Sequence, residues 1–215
     1  MIILKINPRN QKAAVKAAVS VLRRGGVIAL PTETTYGLAC DPRKPKAVAM
    51  IFRIKGRDET KPLQLIAGSM PQVKRFASLN KSEKAIASRH WPGPLTLLVG
   101  LRAGQTLAPR VNPKKVIGVR VTPSEIAAGI ALALGCPVAA TSANRSGSTP
   151  AFSGKGVVKA FQGFKYRPDL VLDFGSLPRR KPSTVARIKE DGSIEILRRG
   201  AVRLGLTSGP RKRKN

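Results

Sequence analysis

Gly25-Gly26-Val27-Ile28-Ala29-Leu30-Pro31-Thr32-Glu33-Thr34-Thr35-Tyr36-Gly37 is the stretch that decides the fold class. Val27 to Leu30 is an unbroken apolar run, as expected of a strand buried on both faces. The hydroxyl-rich segment after it reads as a loop at the strand's end. Upstream, Ala14, Ala17, Ala18, Val21 and Leu22 recur at helical spacing between Gln11 and Arg24, and the glycine pair ends that helix. Before the helix, Ile2 to Ile6 is a short apolar strand stopped by Asn7-Pro8. Strand, helix, strand is the unit of an α/β protein.

The alternation continues downstream. Helices are expected over Pro45–Ile54, from Ser69 through Val73, Phe76 and Ala77, from a Ser82 cap to just before Trp91, over Pro123–Leu134 and over Gly154–Phe161. Strands are expected at Leu63–Ala67, Leu95–Leu101, Val116–Val121, Pro137–Ala140, Leu170–Asp173, Ser183–Ile188 and Ile194–Leu197. The last two flank Glu190-Asp191-Gly192-Ser193, a hairpin turn. The expected class is α/β with a mixed sheet. Residues 1–206 read as one domain, and 207–215, ending Arg211-Lys212-Arg213-Lys214, as a basic tail outside it.

Charge and composition narrow the function. The 215 residues carry 40 Lys and Arg against 11 Asp and Glu, a net charge of +29, which favours polyanionic neighbours. A hydrophobic content of 42% is enough to build a core, which argues against a disordered basic protein. No apolar run reaches membrane-spanning length, and Met1 to Arg9 is not a secretory signal. Cys40 and Cys136 form no metal-ligand spacing and suit a reducing cytoplasm. The single His90 excludes a multi-histidine metal site and leaves no good base for a serine nucleophile, since Trp91-Pro92 follows it.

Three polar clusters sit just after strands or helices, where α/β sheets bind ligands. Thr32 to Tyr36 supplies hydroxyls and one carboxylate. Lys55 to Lys61 places Lys55, Arg57 and Lys61 close together, and an extended loop would turn Lys55 and Arg57 to one side, toward a phosphate. Thr141 to Gly147 alternates Ser142 and Asn144, which suit hydrogen bonds to a nucleotide. Arg120, flanked by Val119 and Val121, needs a partner or a ligand, unless its strand is an edge that lets it face water.

Taken in order, Pro31-Thr32-Glu33-Thr34-Thr35-Tyr36-Gly37-Leu38, Lys55-Gly56-Arg57 with Lys61-Pro62-Leu63, Trp91-Pro92-Gly93-Pro94-Leu95-Thr96, Gly118-Val119-Arg120-Val121, Ser142-Ala143-Asn144-Arg145-Ser146-Gly147, Pro182-Ser183-Thr184-Val185 and Ile196-Leu197-Arg198-Arg199-Gly200 resemble the YrdC family in its short bacterial form. The likeness runs from about Ala13 to Gly200. It implies a twisted mixed sheet with surrounding helices and a basic concave cleft. It also implies synthesis of threonylcarbamoyl-AMP and pyrophosphate from L-threonine, bicarbonate and ATP. Mg²⁺ would come with the ATP, held by its phosphates. The product would pass to a threonylcarbamoyl transferase complex that modifies tRNA, in the cytoplasm and without a membrane.

By the same resemblance, Lys55 and Arg57 serve catalysis. Lys55, Arg57, Lys61, Ser142, Asn144 and Arg198 serve ATP, and Thr34, Arg120, Thr141 and Ser183 serve threonine. Three positions depart from the family pattern: Asp58 stands where Pro is frequent, Ile66 near a position that some relatives fill with His, and Thr35 in place of a common Val. One alternative is a non-catalytic module that binds double-stranded RNA or tRNA. It would need the basic residues but not Thr34, Ser142, Asn144 and Ser183. Another is carbamoyl transfer of the hydrogenase-maturation kind, whose zinc-finger and acylphosphatase segments are not seen here.

Overall fold

The computed structural model describes residues 1–204, so the expected basic tail at 207–215 lies outside the described residues. In chain order the elements are β1 (Ile2–Lys5), α1 (Gln11–Arg23), β2 (Ile28–Pro31), β3 (Tyr36–Cys40), α2 (Pro45–Lys55), β4 (Gln64–Ala67), α3 (Met70–Phe76), β5 (Ala77–Ser78), α4 (Lys81–His90), β6 (Leu95–Leu101), β7 (Val116–Val121), α5 (Glu125–Leu134), β8 (Val138–Ser142), α6 (Gly154–Phe161), β9 (Leu170–Asp173), β10 (Thr184–Ile188) and β11 (Ile194–Arg198). The strands form one mixed sheet in the order β1-β9-β2-β3-β8-β4-β7-β6-β10-β11, with β5 paired to β6.

The apolar run from Val27 to Leu30 behaves as its composition dictates. All of β2 is buried, and it pairs parallel to β9 and antiparallel to β3. Its antiparallel partner β3 stands where the sequence reads as a loop and then carries no strand signal. Tyr36-Gly37-Leu38-Ala39-Cys40 carries little β-branched character, and only its place between β2 and β8 makes it one. Pro31 faces Tyr36 across the pair, which reduces the expected loop to the four residues Thr32–Thr35. Tyr36 belongs to the fold rather than to ligand chemistry. Its hydroxyl donates to the Gly175 carbonyl at 2.8 Å and accepts from the Phe174 N–H at 2.9 Å.

Helix α4 begins two residues earlier than a Ser82 cap allows. Asn80 is the cap, and its side chain and Glu83 satisfy each other's backbone N–H groups in a capping box. Helix α5 starts after Ser124, which caps it. Ala77 leaves α3 and joins β5. The N-terminus of α5 and the end of β7 lie beside the β2–β3 loop, because Ser124 Oγ donates to the Pro31 carbonyl at 3.1 Å.

The register across the middle of the sheet builds the site. Gly37 faces Ser142, Gln64 faces Ala140, and Ile66 faces Arg120. Side chains two apart on a strand share a face. Ser142 and Ala140, Gln64 and Ile66, and Arg120 therefore form adjoining rows on one face. Strand β7 lies inside the sheet, between β4 and β6, so the edge placement for Arg120 does not occur.

Candidate functional site

A cavity of about 270 Å³ opens on that face. Thr34, Arg57, Arg120, Thr141, Ser142, Ser183 and Arg198, all expected from the sequence, line it. So do Thr32, Thr35, Gly37, Gln64 and an apolar group of Pro62, Ile66, Ala140, Pro150 and Pro182. The three polar clusters do converge. Lys55, Lys61 and Asn144 are not among the lining residues.

The reason lies in the backbone at Gly56. Lys55 is the last residue of α2, and Gly56 ends the helix in the left-handed region at φ +58°, where glycine is favoured. Lys55 and Arg57 therefore do not alternate along an extended loop, and that expectation is corrected. Lys55 turns inward and is only 3% exposed. Its ammonium donates to the Ser142 carbonyl at 2.7 Å, the Asn144 carbonyl at 2.9 Å and Asn144 Oδ1 at 3.1 Å. Burial, then the neighbouring Arg57 charge, push its pKa down to about 8.

The loop answers in kind. Arg145 Nη1 donates back to the Ile54 carbonyl at 2.9 Å, at the end of α2, and the Ser146 N–H donates to the Lys55 carbonyl at 2.8 Å. Asn144 Nδ2 donates to the Arg145 carbonyl at 2.8 Å and to the Ser148 carbonyl. The side chain of Asn144 is spent on shaping its own loop, and Lys55 and Arg145 lace that loop to α2. Lys61 is exposed, and what it gives the site is its carbonyl, which accepts from Arg57 Nε at 3.2 Å.

Three guanidiniums face the cavity from three directions. Arg57 comes from the loop after α2. Arg120 comes from the middle of β7. Arg198 comes from the end of β11 at the exposed rim, where it donates through Nε and Nη2 to the Ser183 carbonyl and through Nη2 to Ser183 Oγ at 2.8 Å. Burial lowers the Arg57 pKa, partly offset by Asp58. Desolvation, then the charges of Arg120 and Arg57, lower that of Arg198. The Arg198 shift records cations held close together, whereas that of Arg57 records its burial.

The counter-charge present is Glu33, whose carboxylate accepts from Arg120 Nε at 2.8 Å and from the Thr122 hydroxyl at 2.6 Å. Burial pushes the Glu33 carboxyl up, but the Arg120 charge and the Thr122 hydrogen bond outweigh it and hold the pKa below the ordinary value.

Hydroxyls complete the lining. Thr32 Oγ1 pins the hairpin by donating to the Thr35 carbonyl at 2.6 Å, and it lies 3.2 Å from Thr34 Oγ1. Ser183 Oγ lies 3.1 Å from Thr96 Oγ1. Gly200 lets the chain after Arg198 press against Pro182–Thr184. A Cβ there would stand 2.3 Å from the Pro182 carbonyl oxygen and 2.5 Å from Thr184 N. The sequence gives no role to Glu33, Gln64, Thr96 or Gly200 at the site. Gln64 and Thr96 do sit at the starts of expected strands, a position that points to a cleft once the register is known.

No group of three or more His, Cys, Asp or Glu among the described residues could hold a metal ion. Cys40 and Cys136 are buried and free. No helix among the described residues is long and apolar enough to cross a membrane. Fold and site thus define an α/β protein with a cationic, hydroxyl-lined cavity suited to a small anionic ligand.

Comparison with known proteins gives that class a family. The Sua5/YciO/YrdC model, described as "Telomere recombination", matches residues 20–200, and the chain belongs to this family. It is 40% identical over 166 residues to the threonylcarbamoyl-AMP synthase of Thiobacillus denitrificans, covering 76% of this chain and 85% of that one. It is 36% identical over 197 residues to that of Halorhodospira halophila, covering 89% and 97%. Among solved structures, P. abyssi Sua5 complexed with L-threonine superposes with a TM-score of 0.84 at 30% identity, over 93% of this chain and 58% of that longer one.

Proposed function

We propose that the chain is a threonylcarbamoyl-AMP synthase, converting L-threonine, bicarbonate and ATP to threonylcarbamoyl-AMP and pyrophosphate for tRNA modification. The observation that carries the reading is the gathering of Arg57, Arg120 and Arg198 round one cavity with no carboxylate among its described lining residues, Arg120 alone being paired, with Glu33 behind it. In this reading the threonine carboxylate pairs with Arg120, beside Thr34 and Ser183. Its amine nitrogen bonds to the carbon of bicarbonate and water leaves, giving a carbamate. A carbamate oxygen then attacks the α-phosphorus of ATP, and the bond to the bridging oxygen of pyrophosphate breaks. Such displacements depend on positioning and charge neutralisation, not on a protein nucleophile. Arg57 and Arg198 neutralise the phosphates, Ser142 hydrogen-bonds at the nucleotide side, and Thr141 joins Thr34 and Ser183 around threonine.

Magnesium enters as MgATP. No described carboxylate lines the cavity, and Glu33 beside it is held by Arg120 and Thr122, which fits a cation carried on phosphate oxygens. Lys55 and Asn144 act one step back, by holding Ser142 and its loop in place. Two free, buried cysteines accord with a reducing cytoplasm. The product is handed to a threonylcarbamoyl transferase complex acting on tRNA.

The reading without catalysis, an RNA-binding module, draws on Arg145 stacked 4.5 Å over the exposed Phe164 and Arg53 over Tyr166. It leaves the hydroxyl-lined cavity with no role. The test is pyrophosphate release by the purified protein with MgATP. Release that requires both L-threonine and bicarbonate supports the enzyme, and release without either, or none at all, rejects it.

A further inference from the structure

Arg120 is buried in the middle of a sheet, and a guanidinium there has a single useful orientation. It offers five N–H donors in a rigid fork. Its Nε donates to Glu33 Oε1 at 2.8 Å, and no described residue hydrogen-bonds either Nη group. No described side-chain nitrogen or oxygen is both buried and partnerless, so those Nη groups meet open space, and the open space that Arg120 lines is the cavity. Glu33 is itself absent from the cavity lining. It lines a neighbouring depression with Pro123 and Ser124. Its side chain is 5% exposed and its second oxygen is held by the Thr122 hydroxyl at 2.6 Å. Glu33 therefore stands behind Arg120, locked from two sides, and cannot touch a ligand in the cavity.

We infer that Glu33 is a positioning residue: its carboxylate fixes the Arg120 fork so that both Nη groups present one flat edge to the carboxylate of the amino-acid substrate. Two parallel N–H···O bonds to that carboxylate are the geometry a guanidinium favours once its Nε is taken. Thr122 serves the same end by preventing the Glu33 carboxylate from rotating. The inference rests on the proposed binding of threonine in this cavity.

Calorimetry with L-threonine and with L-threonine amide, which lacks the carboxylate, separates the possibilities. Wild-type protein is expected to bind threonine well above the amide. In Glu33→Gln the threonine Kd rises about 10-fold and the amide Kd stays within about 2-fold, so the preference for the carboxylate shrinks. The KM for ATP stays within about 2-fold. Thr122→Val, which keeps every charge, gives the same pattern at a few-fold, and covers the case in which Glu33→Gln folds poorly by thermal melting.

A carboxylate preference unchanged in both variants overturns the inference. Equal weakening of threonine and the amide also overturns it, because that is the mark of a structural role. Wild-type protein that binds no threonine overturns the functional reading, and this inference with it, and is told apart by the failure of the parent protein rather than of the variants.

Discussion

Lys55 and Arg57 are two residues apart, carry the same charge and work in opposite directions. Lys55 points into the protein and holds three oxygens of the 142–144 segment. Arg57 points into the cavity and keeps its Nη groups for a ligand, with only Nε tied to the Lys61 carbonyl. One left-handed glycine between them makes the difference. The lesson is that charge near a site divides into groups that build the wall and groups that face the ligand, and that backbone geometry assigns the role.

The sharpest way to break the comparison is to remove each cation in turn. Arg57→Ala is expected to lower kcat/KM by about 10²–10³, the usual loss when one stabiliser of developing charge is removed, with the melting temperature unchanged. If Arg57→Ala keeps full activity, Arg57 does not face the reacting phosphates. Lys55→Met leaves buried carbonyl oxygens without a donor and is expected to lose about 3 kcal/mol of stability in denaturant melts. Activity would fall with it, because Ser142 loses its support. A Lys55→Met protein as stable as wild type would show that the lacing carries no weight.

The same pair separates by pH. Lys55 holds its proton up to about pH 8 in the fold and to its ordinary 10.5 when unfolded. Between those values the unfolded state binds more protons, so stability rises with pH through that window. Wild type should therefore gain stability over Lys55→Met as pH is raised from about 8 toward 10.5, and a flat difference would contradict the burial of a charged ammonium. Smaller again, Gly200→Ala forces the segment after Arg198 away from Pro182–Thr184. It should cost about 1–3 kcal/mol and weaken the hold of Arg198 on Ser183, seen as reduced affinity. Smallest is Lys61→Ala. Its side chain is exposed and only its carbonyl is used, so activity should change less than about 2-fold and stability by less than about 0.5 kcal/mol.

Apolar runs and helix periodicity carried most of the fold, because β2, β6, β7, α1 and α5 each state their burial in one short stretch. Strand β3 was hidden, since Tyr36-Gly37-Leu38-Ala39-Cys40 is a strand only by virtue of its two neighbours. The Asn80 cap was hidden because Ser82 is an equally good cap by type, and Glu83 chooses between them only in three dimensions.

At the site, spacing located the segments but not the directions of their side chains. Asn144 and Lys55 look like ligand groups in one dimension and face each other in three. Glu33 read as one polar residue among several in its loop, because its partners Arg120 and Thr122 lie some ninety residues away. The +29 charge sharpens in the same way: three guanidiniums are gathered at one cavity, and the charge elsewhere on the surface is not assigned to it.

The measurement that bears most directly on the account is formation of threonylcarbamoyl-AMP from labelled bicarbonate, L-threonine and MgATP, by wild type and by folded Arg57→Ala side by side. The account predicts labelled product that requires threonine in the wild type and a loss of about 10²–10³ in the variant. No labelled product from the wild type, or equal product from both, would contradict it.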